Sequence, residues 1–278
     1  MDAVLRLTAN NVPSPRMNAE ILLMFTLACD RAYLYAHPER KLTAEEGARY
    51  DAALAERIRG VPAQYITGHQ EFWGLDFIVT GAVLIPRPET EHVVEAVLEL
   101  AAESSQTSVP TLRIADIGTG SGCIAAALAH ELTHSEVYAT DISPAALEIA
   151  GINAARHQLL ERVHLRETDL LSGFDENFFD FIVSNPPYVG ESEEETVQLE
   201  VRKFEPRNAV FAGPTGLEII ARLIPQARLA LRPNGWLVME ISGTIVDGVK
   251  NLLQEWQDLR VIHDLQGIAR VIAAQRAA

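Results

Sequence analysis

The pattern of apolar and polar residues changes once along the chain, near residue 70. Before that point the apolar residues form clusters without strand-like alternation, which predicts helices. A capping-box spacing at Thr43 and Glu46 predicts the start of one helix, which continues through Ile58. Short helices separated by short loops indicate a small helical bundle.

Two apolar segments after the helices predict a β-hairpin. They span residues 71–79 and 82–85 and are rich in aromatic and β-branched residues, which favour strands. Thr80 and Gly81 separate the two segments, and glycine is typical of turns. The hairpin therefore comes between the helical segment and the rest of the chain.

These changes of pattern divide the chain into three parts. Residues 1–70 are predicted to form a helical domain, 71–85 a hairpin linker and 86–278 a second domain. A small helical bundle carries no chemistry of its own. It is expected to dock a substrate or to act as a scaffold.

Strand and helix patterns alternate in the second domain. Apolar runs bounded by Gly, Pro and polar residues predict strands, and amphipathic segments between them predict helices. The predicted strands are residues 112–117, 137–140, 163–166, 178–184 and 236–241. This alternation indicates an α/β fold, with a mostly parallel sheet covered by helices on both faces. The polar residues 103–110 are predicted to form a surface loop.

The fourth predicted strand ends in the sequence Asn185-Pro186-Pro187-Tyr188. Proline has no N–H and cannot continue a strand ladder, so a stiff turn is expected there. In open α/β sheets the carboxyl ends of the strands form the ligand crevice. The Asn185 side chain and the Pro186 carbonyl offer two acceptors for a planar NH2 group, and Tyr188 offers a ring to stack on. Considered alone, the turn is explained equally well as a structural end of the strand and as a ligand clamp.

A clamp of this kind suits transfer of a group to a conjugated amine or amide nitrogen. The lone pair of such a nitrogen is delocalised, which makes it a poor nucleophile. Holding it in line with a strong electrophile supplies proximity rather than base strength.

A glycine-rich loop follows the first strand, and an acid follows each of the next two strands. The loop comprises Gly118, Thr119, Gly120, Ser121 and Gly122. Cys123 stands where the dinucleotide fingerprint requires glycine, which disfavours nicotinamide cofactors. Asp141 is placed to accept from ribose hydroxyls, and Asp169 from an adenine amino group. The ordered set fits S-adenosylmethionine, although either acid alone is more often a helix cap or a surface charge.

Composition narrows the class of function. The formal charge of −15 argues against tight, sequence-independent binding to nucleic acid. Cys29 and Cys123 are the only cysteines and lie far apart, which implies neither a disulfide framework nor a thiolate metal site. No apolar run is long enough for a membrane span, and the first residues lack the apolar core of a signal peptide. A soluble cytoplasmic protein is expected.

His130 and His134 have the zinc-protease spacing His-Glu-x-x-His. The pattern falls at the end of a predicted helix, whereas a zinc site of this class needs the helix to continue and a third ligand to follow. No metal is expected here.

Together the motifs resemble the release factor glutamine methyltransferase family of the HemK/PrmC type, over most of the chain. The most specific stretch is Leu84-Ile85-Pro86-Arg87-Pro88-Glu89-Thr90-Glu91. The glycine loop is shared by many methyltransferases, and the Asn-Pro-Pro-Tyr turn by those that act on amino groups of bases. Further matches are Gln64-Tyr65-Ile66-x-Gly68, Glu71-Phe72-x-Gly74, Phe204-Glu205-Pro206 and Asp264-Leu265-x-Gly267-x-x-Arg270.

The resemblance implies a Rossmann-like class I methyltransferase domain joined to the helical domain. It implies transfer of methyl from S-adenosylmethionine to the side-chain amide nitrogen (N5) of the Gln in the Gly-Gly-Gln motif of peptide chain release factors, leaving S-adenosylhomocysteine. No strong base is needed, because the methylated nitrogen becomes very acidic and releases its proton to water. The release factor would be the protein partner, with no direct binding to nucleic acid or membrane expected.

Carried onto this chain, the resemblance implies a role for each matching residue. The cofactor-binding residues would be Gly118, Thr119, Gly120, Ser121, Gly122, Asp141, Asp169, Leu170, Asn185, Arg87 and Thr90. The substrate-binding residues would be Asn185, Pro186, Pro187 and Tyr188, of which Asn185, Pro186 and Tyr188 would be catalytic. The segment Phe204-Glu205-Pro206 is expected beside the pocket.

The chain departs from the family pattern after the fifth strand, where the usual Glu-x-Gly is Glu240-Ile241-Ser242. Serine is less free than glycine in tight turns, so the loop there is expected to differ.

Two alternatives stay open. A methyltransferase acting on an exocyclic amine of an RNA or DNA base would use the same clamp. Against it stand the acidic charge, the lack of a separate base-reading domain and the stretch 84–91. The other alternative is a binding protein that retains a cofactor site, and the intact Asn-Pro-Pro-Tyr turn argues against it.

Overall fold

A computed structural model describes residues 2–104 and 111–278, so most of the predicted loop 103–110 lies outside the described residues. The chain divides into two compact units. The first comprises Met1–His69 and Gln198–Phe204, and the second comprises Gln70–Val197 and Glu205–Ala278.

The first unit is a bundle of helices. Those before residue 70 are α1 (Asp2–Ala9), α2 (Pro15–Leu27), α3 (Arg31–Ala36), α4 (Ala44–Ile58) and α5 (Ala63–Thr67). The predicted capping box at the start of α4 is confirmed, because the Glu46 N–H donates to the Thr43 hydroxyl and the Thr43 N–H donates to the Glu46 carboxylate. Leu7, Leu22 and Leu54 form the centre of its core.

A buried arginine attaches the distant segment Gln198–Phe204 to this bundle. The Arg57 side chain is 4% exposed and donates to Asn18 Oδ1 over 2.7 Å and to Glu200 Oε1 over 2.6 Å. A buried charge needs such partners because burial alone penalises it. The sequence pattern did not indicate that residues so far along the chain belong to the first unit.

The rest of the chain alternates strands and helices. The hairpin strands are β1 (His69–Phe72) and β2 (Leu75–Ile78), and a 3₁₀ turn at Pro88–Thr90 precedes α6 (Glu91–Ser104). The elements that follow are β3 (Leu112–Ile117), α7 (Cys123–Glu131), β4 (Ser135–Asp141), α8 (Pro144–Arg156), β5 (Val163–Glu167), β6 (Phe179–Ser184), β7 (Val189–Gly190), a 3₁₀ turn (Glu191–Thr196), α9 (Leu199–Phe204), α10 (Arg207–Val210), β8 (Phe211–Gly213), α11 (Glu218–Ala230), β9 (Leu231–Glu240), α12 (Val246–Leu252), β10 (Gln257–His263) and β11 (Ala269–Gln275).

The predicted hairpin exists but lies earlier in the chain, so its strand bounds were wrong. β1 and β2 pair around a turn at Trp73 and Gly74, which have φ of 53° and 71°. Positive φ at both central residues is typical of the two-residue hairpin turn whose twist matches the strands. Residues 82–85, predicted as the second strand, form no strand.

The central sheet confirms the predicted α/β fold. Its order is β10-β11-β9-β6-β3-β4-β5, and β9, β6, β3, β4 and β5 run parallel. Successive residues of one strand face opposite layers. Ile114 packs with α6 and α7, whereas Ala115 packs with α11 and α12. Strands buried on both faces carry the continuous apolar runs that the sequence shows.

The chain places a crevice between β3 and β6. These strands are neighbours, but β4 and β5 extend the sheet on one side of them and β9 on the other. Ligands bind at such a switch point, outside the carboxyl ends of the strands. Ile117 and Ser184 end the two strands side by side, and the Ser184 hydroxyl donates to the Ile117 carbonyl over 2.7 Å.

Strands β7, β8, β10 and β11 were not predicted, and several predicted bounds differ from those of the structure. β10 and β11 pair antiparallel at the edge beyond β9, where alanines and exposed polar residues replace the apolar run. β5 ends at Glu167, so Asp169 lies in the following loop rather than at the strand end. α7 ends at Glu131, and His134 therefore lies beyond the helix that also carries His130.

Candidate active site

A cavity of about 480 Å³ opens at the carboxyl ends of β3, β4, β5 and β6. It brings together most of the residues that the sequence singled out. Those on its wall are Arg87, Thr90, Gly118, Thr119, Gly120, Ser121, Asp141, Asp169, Leu170, Asn185 and Pro187. Three of the residues singled out, Gly122, Pro186 and Tyr188, are not part of that wall.

The glycine loop is shaped by its fit against α8. Gly122 has φ of +80°, and a Cβ there would lie 3.2 Å from the Cβ of Ala150. Only glycine combines that backbone conformation with so close an approach. Asn153 of α8 is fully buried and donates to the Ser121 carbonyl over 2.9 Å. The loop is thus fixed from outside the cavity.

Asp141 is oriented by two backbone groups. Its Oδ2 accepts from the Gly120 N–H over 3.0 Å, and its Oδ1 accepts from the Ser143 N–H over 2.9 Å. Each carboxylate oxygen can accept a further hydrogen bond. The carboxylate therefore has remaining capacity on the side that lines the cavity.

Asp116 lies behind the glycine loop and is fully buried. Its Oδ2 accepts from the Thr119 hydroxyl over 2.6 Å and from the Ala125 N–H over 3.1 Å, while Oδ1 has no partner within the described chain. Burial raises the pKa of Asp116 to about 7, against these two hydrogen bonds. Asp116 was not among the predicted site residues, and its position near the end of an apolar strand, just before the glycine loop, was the available signal.

Asp169 forms an ion pair with Arg222 of α11 over 2.5 Å. Both side chains are about half exposed, and both residues line the cavity. Arg222 was not among the predicted residues. Its helix was predicted, but nothing in the sequence indicates that this side chain reaches the loop after β5.

The Asn185 side chain belongs to a buried hydrogen-bond network. Its Nδ2 donates to the Thr90 hydroxyl over 3.0 Å, and Thr90 donates to Glu240 Oε2 over 2.6 Å. The Tyr188 hydroxyl donates to the other oxygen, Oε1, over 2.9 Å. Asn185 Oδ1 is left to face away from Thr90. Tyr188 was expected to offer its ring to a ligand, but its ring packs among apolar side chains of the core instead.

Burial raises the pKa of Glu240, and the hydrogen bonds from Thr90 and Tyr188 oppose that shift. The same burial raises the pKa of the Tyr188 hydroxyl. Glu240 entered the sequence comparison only as the glutamate of the Glu-x-Gly pattern. In the loop that follows it, the Ser242 hydroxyl bonds the Thr244 hydroxyl over 2.6 Å.

A second buried glutamate fixes the segment before Thr90. Glu205 Oε2 accepts from the Ile85 N–H over 3.2 Å, and Oε1 accepts from Arg87. Pro206, the next residue, lines the cavity. Pro206 of the Phe-Glu-Pro segment therefore lies beside the pocket as expected. The hydrogen bond to Glu205 holds the Arg87 side chain at the cavity wall.

Two further observations concern metal sites and membrane-spanning helices. No group of three or more His, Cys, Asp or Glu side chains within residues 2–104 and 111–278 could hold a metal ion. None of the described helices is both long enough and apolar enough to cross a membrane.

Comparison with known proteins gives matches to both units. Residues 1–68 match the model of the PrmC N-terminal domain, and residues 98–203 match that of the methyltransferase small domain. A release factor glutamine methyltransferase of Koribacter versatilis is 55% identical over 99% of this chain and 96% of its own. One of Moorella thermoacetica is 43% identical over the same shares, 99% and 96%.

Solved structures agree on the fold. The hMettl16 catalytic domain in complex with the MAT2A 3'UTR hairpin 6 matches with a TM-score of 0.59 and 18% identity, over 88% of this chain and 92% of that one. The N-terminal domain of human METTL16 in complex with SAH matches with a TM-score of 0.52 and 20% identity, over 82% and 81%. At these identities the likeness concerns the fold alone.

Proposed function

Because the chain belongs to the release factor glutamine methyltransferase family, we propose that it methylates the side-chain amide nitrogen of a glutamine in peptide chain release factors. The methyl donor is S-adenosylmethionine, and the target is the Gln of the Gly-Gly-Gln motif. The enzyme acts in the cytoplasm, and the release factor is its protein partner.

The orientation of Asn185 carries the proposal. One amide hydrogen of Asn185 goes to Thr90 over 3.0 Å, so its Oδ1 is the group available to a ligand. Pro186 has no N–H, and its carbonyl is a second acceptor at the same turn. Two acceptors suit the two hydrogens of a primary amide, and they hold its nitrogen in place for attack on an electrophilic carbon.

The residues of the cavity fit the proposed cofactor. S-adenosylmethionine supplies a methyl group on a positively charged sulfur. Asp141 would accept from the ribose hydroxyls with its remaining lone pairs, and Asp169 and Leu170 would bind the adenine. The glycine loop, Arg87 and Thr90 would line the methionine end. The free Oδ1 of buried Asp116 adds a negative or polar group behind that loop, which suits a cofactor that carries positive charge.

The first unit is proposed to dock the release factor. Several large apolar side chains on its surface are exposed, among them Met17 at 50% and Tyr35 at 60%. Exposed apolar side chains of this size are more typical of a surface that binds a protein than of one that binds the phosphate backbone of a nucleic acid. The chain's charge of −15 points the same way.

The experiment is methyl transfer from labelled cofactor to purified release factor. The same factor with its Gly-Gly-Gln glutamine changed to alanine is the matched control, and bulk ribosomal RNA is offered in parallel. Label on the intact factor alone is expected. Label on the RNA alone would replace this proposal with the base-amine methyltransferase.

A further inference from the structure

Glu240 is a buried carboxylate whose two oxygens each accept one hydrogen bond, from Thr90 and from Tyr188. It is 3% exposed, and Thr90 is 2% exposed. Two residues of this network, Thr90 and Asn185, lie on the cavity wall, and Asn185 donates to Thr90. Glu240 itself is not on the cavity wall described above, so any effect on a ligand has to pass through Thr90 and Asn185.

The direction of each bond follows from counting hydrogens. An ionised carboxylate only accepts, and a threonine hydroxyl has a single hydrogen. Thr90 gives that hydrogen to Glu240, so its oxygen can only accept from Asn185. The Asn185 amide must then turn its nitrogen toward Thr90 and its oxygen toward the cavity.

Protonation of Glu240 would reverse the directions of these hydrogen bonds. A carboxylic acid can donate to the Thr90 oxygen, which frees the Thr90 hydrogen to point at Asn185. The Asn185 amide could then accept from Thr90 through its oxygen and turn its NH2 group to the cavity. An NH2 group there would face the NH2 group of the substrate, and two donors cannot bond each other.

We propose that Glu240 is a positioning residue: as an anion it fixes, through Thr90, the orientation of the Asn185 amide that grips the substrate nitrogen. Methyl transfer then requires the ionised form of a carboxylate that touches neither substrate nor cofactor. This inference rests on the proposed function for its rate measurement. Among the charged groups near Glu240 and Tyr188, the negative charge of Glu89 raises the pKa of both and the positive charge of Arg270 lowers it. Cys123 also lies close enough for Glu240 to raise the pKa of its thiol.

The decisive variant is Tyr188→Phe, which keeps the packed ring and removes one hydrogen bond to the anion. The Thr90 link to Glu240 stays intact, so the quantity that tests the proposal is the position of the acid limb and not the rate at high pH. The acid limb of kcat against pH is expected to move up by about one pH unit, because one donor to the carboxylate is lost. A purely structural tyrosine would not move that limb.

Two further variants test the other links. Glu240→Gln removes the titrating group, so its acid limb is expected to flatten, with kcat lowered about tenfold because a neutral amide no longer fixes the Thr90 hydrogen. Thr90→Val breaks the link to Asn185, and Thr90→Ser, which restores a hydroxyl, is expected to recover most of the lost rate. Cofactor affinity, measured by calorimetry, separates these losses from damage to the cofactor site.

Asp180→Asn is the matched control. Asp180 lies on β6, the strand that precedes Asn185, but near its other end, where it accepts from the Arg113 N–H over 2.8 Å and from Arg232 over 2.7 Å. Its loss is expected to lower stability and to leave the acid limb in place. Asp116 also titrates, but it is present in every variant and cancels in the comparison.

The outcomes separate the two proposals. If wild-type protein transfers methyl to the release factor but shares one acid limb with Tyr188→Phe, the role of Glu240 is overturned and the proposed function stands. If wild type transfers no methyl to the factor at any pH, the proposed function fails. Should Glu240→Gln not fold, the Tyr188→Phe comparison alone decides the matter.

Discussion

Gly122 passes so close to Ala150 that a Cβ at position 122 would lie 3.2 Å from the Ala150 Cβ and 3.3 Å from its Cα. Gly122→Ala would also force alanine into a left-handed conformation at φ of +80°. The strain costs about 1–2 kcal/mol, and we expect the displaced loop to weaken cofactor binding at least tenfold. Calorimetric titration with S-adenosylmethionine measures this.

Gly47→Ala is the control for a glycine without such a role. Gly47 lies within α4, and a Cβ there would meet nothing within 4 Å. The change is expected to raise the free energy of unfolding by up to about 1 kcal/mol, since alanine favours helix. Equal loss of cofactor binding in both variants would contradict the role given to Gly122.

Asp116 predicts a distinctive dependence of stability on pH. Its folded pKa of about 7 lies above the ordinary value of 3.8, so the folded state binds the proton more tightly. Its contribution is therefore fully present below about pH 4 and is lost as pH rises to about 7, by at most about 4 kcal/mol. Asp116→Asn should lack this decline. Denaturant unfolding at several pH values tests it, and parallel curves for both proteins would refute the raised pKa.

Asn185→Ala is expected to lower kcat by a hundredfold or more, since it removes an acceptor that holds the reacting nitrogen. Cofactor affinity should stay within a few-fold. Rates with labelled cofactor and calorimetric titration give the two quantities. Loss of cofactor binding instead would mean that Asn185 serves as part of the cofactor wall.

Asp169 and Arg222 give a paired test of adenine binding. Asp169→Asn should weaken cofactor binding about tenfold if the carboxylate accepts from the adenine amino group. Arg222→Gln should change the free energy of unfolding by less than about 0.5 kcal/mol, because an ion pair whose side chains are about half exposed contributes little to stability. Equal losses of affinity in both variants would show that Asp169 acts only when paired with Arg222.

The sequence predicted the parallel strands well because most of them contain an apolar run closed by a polar or glycine-rich turn. β5 is the exception, since only Val163 in it is buried. β6 ends at Ser184, directly before Asn185, as the two prolines require. The antiparallel strands β10 and β11 were not predicted because the apolar run of β10 is short and is broken by Arg260, and three of the seven residues of β11 are alanine. The hairpin was misplaced because Thr80-Gly81 is also a turn sequence, while the actual turn places a tryptophan at positive φ.

The candidate site was predictable where a motif gathers its residues in one stretch. Partners that come from distant segments were not. Glu240 and Thr90 are 150 positions apart, and only the folded sheet brings them together. Burial of a carboxylate is likewise a property of the packed structure, so the sequence did not indicate that Asp116 and Glu240 have raised pKa values.

Asn153 joins two segments that the chain separates widely. Its amide bonds both backbone groups of Ile78 in the hairpin, over 2.8 Å and 3.0 Å, and the Ser121 carbonyl of the glycine loop over 2.9 Å. If a bound cofactor makes the glycine loop more rigid, β2 is therefore expected to unfold locally less often as well. Hydrogen exchange at the Ile78 amide becomes a reporter of cofactor occupancy, read from a residue outside the cavity wall.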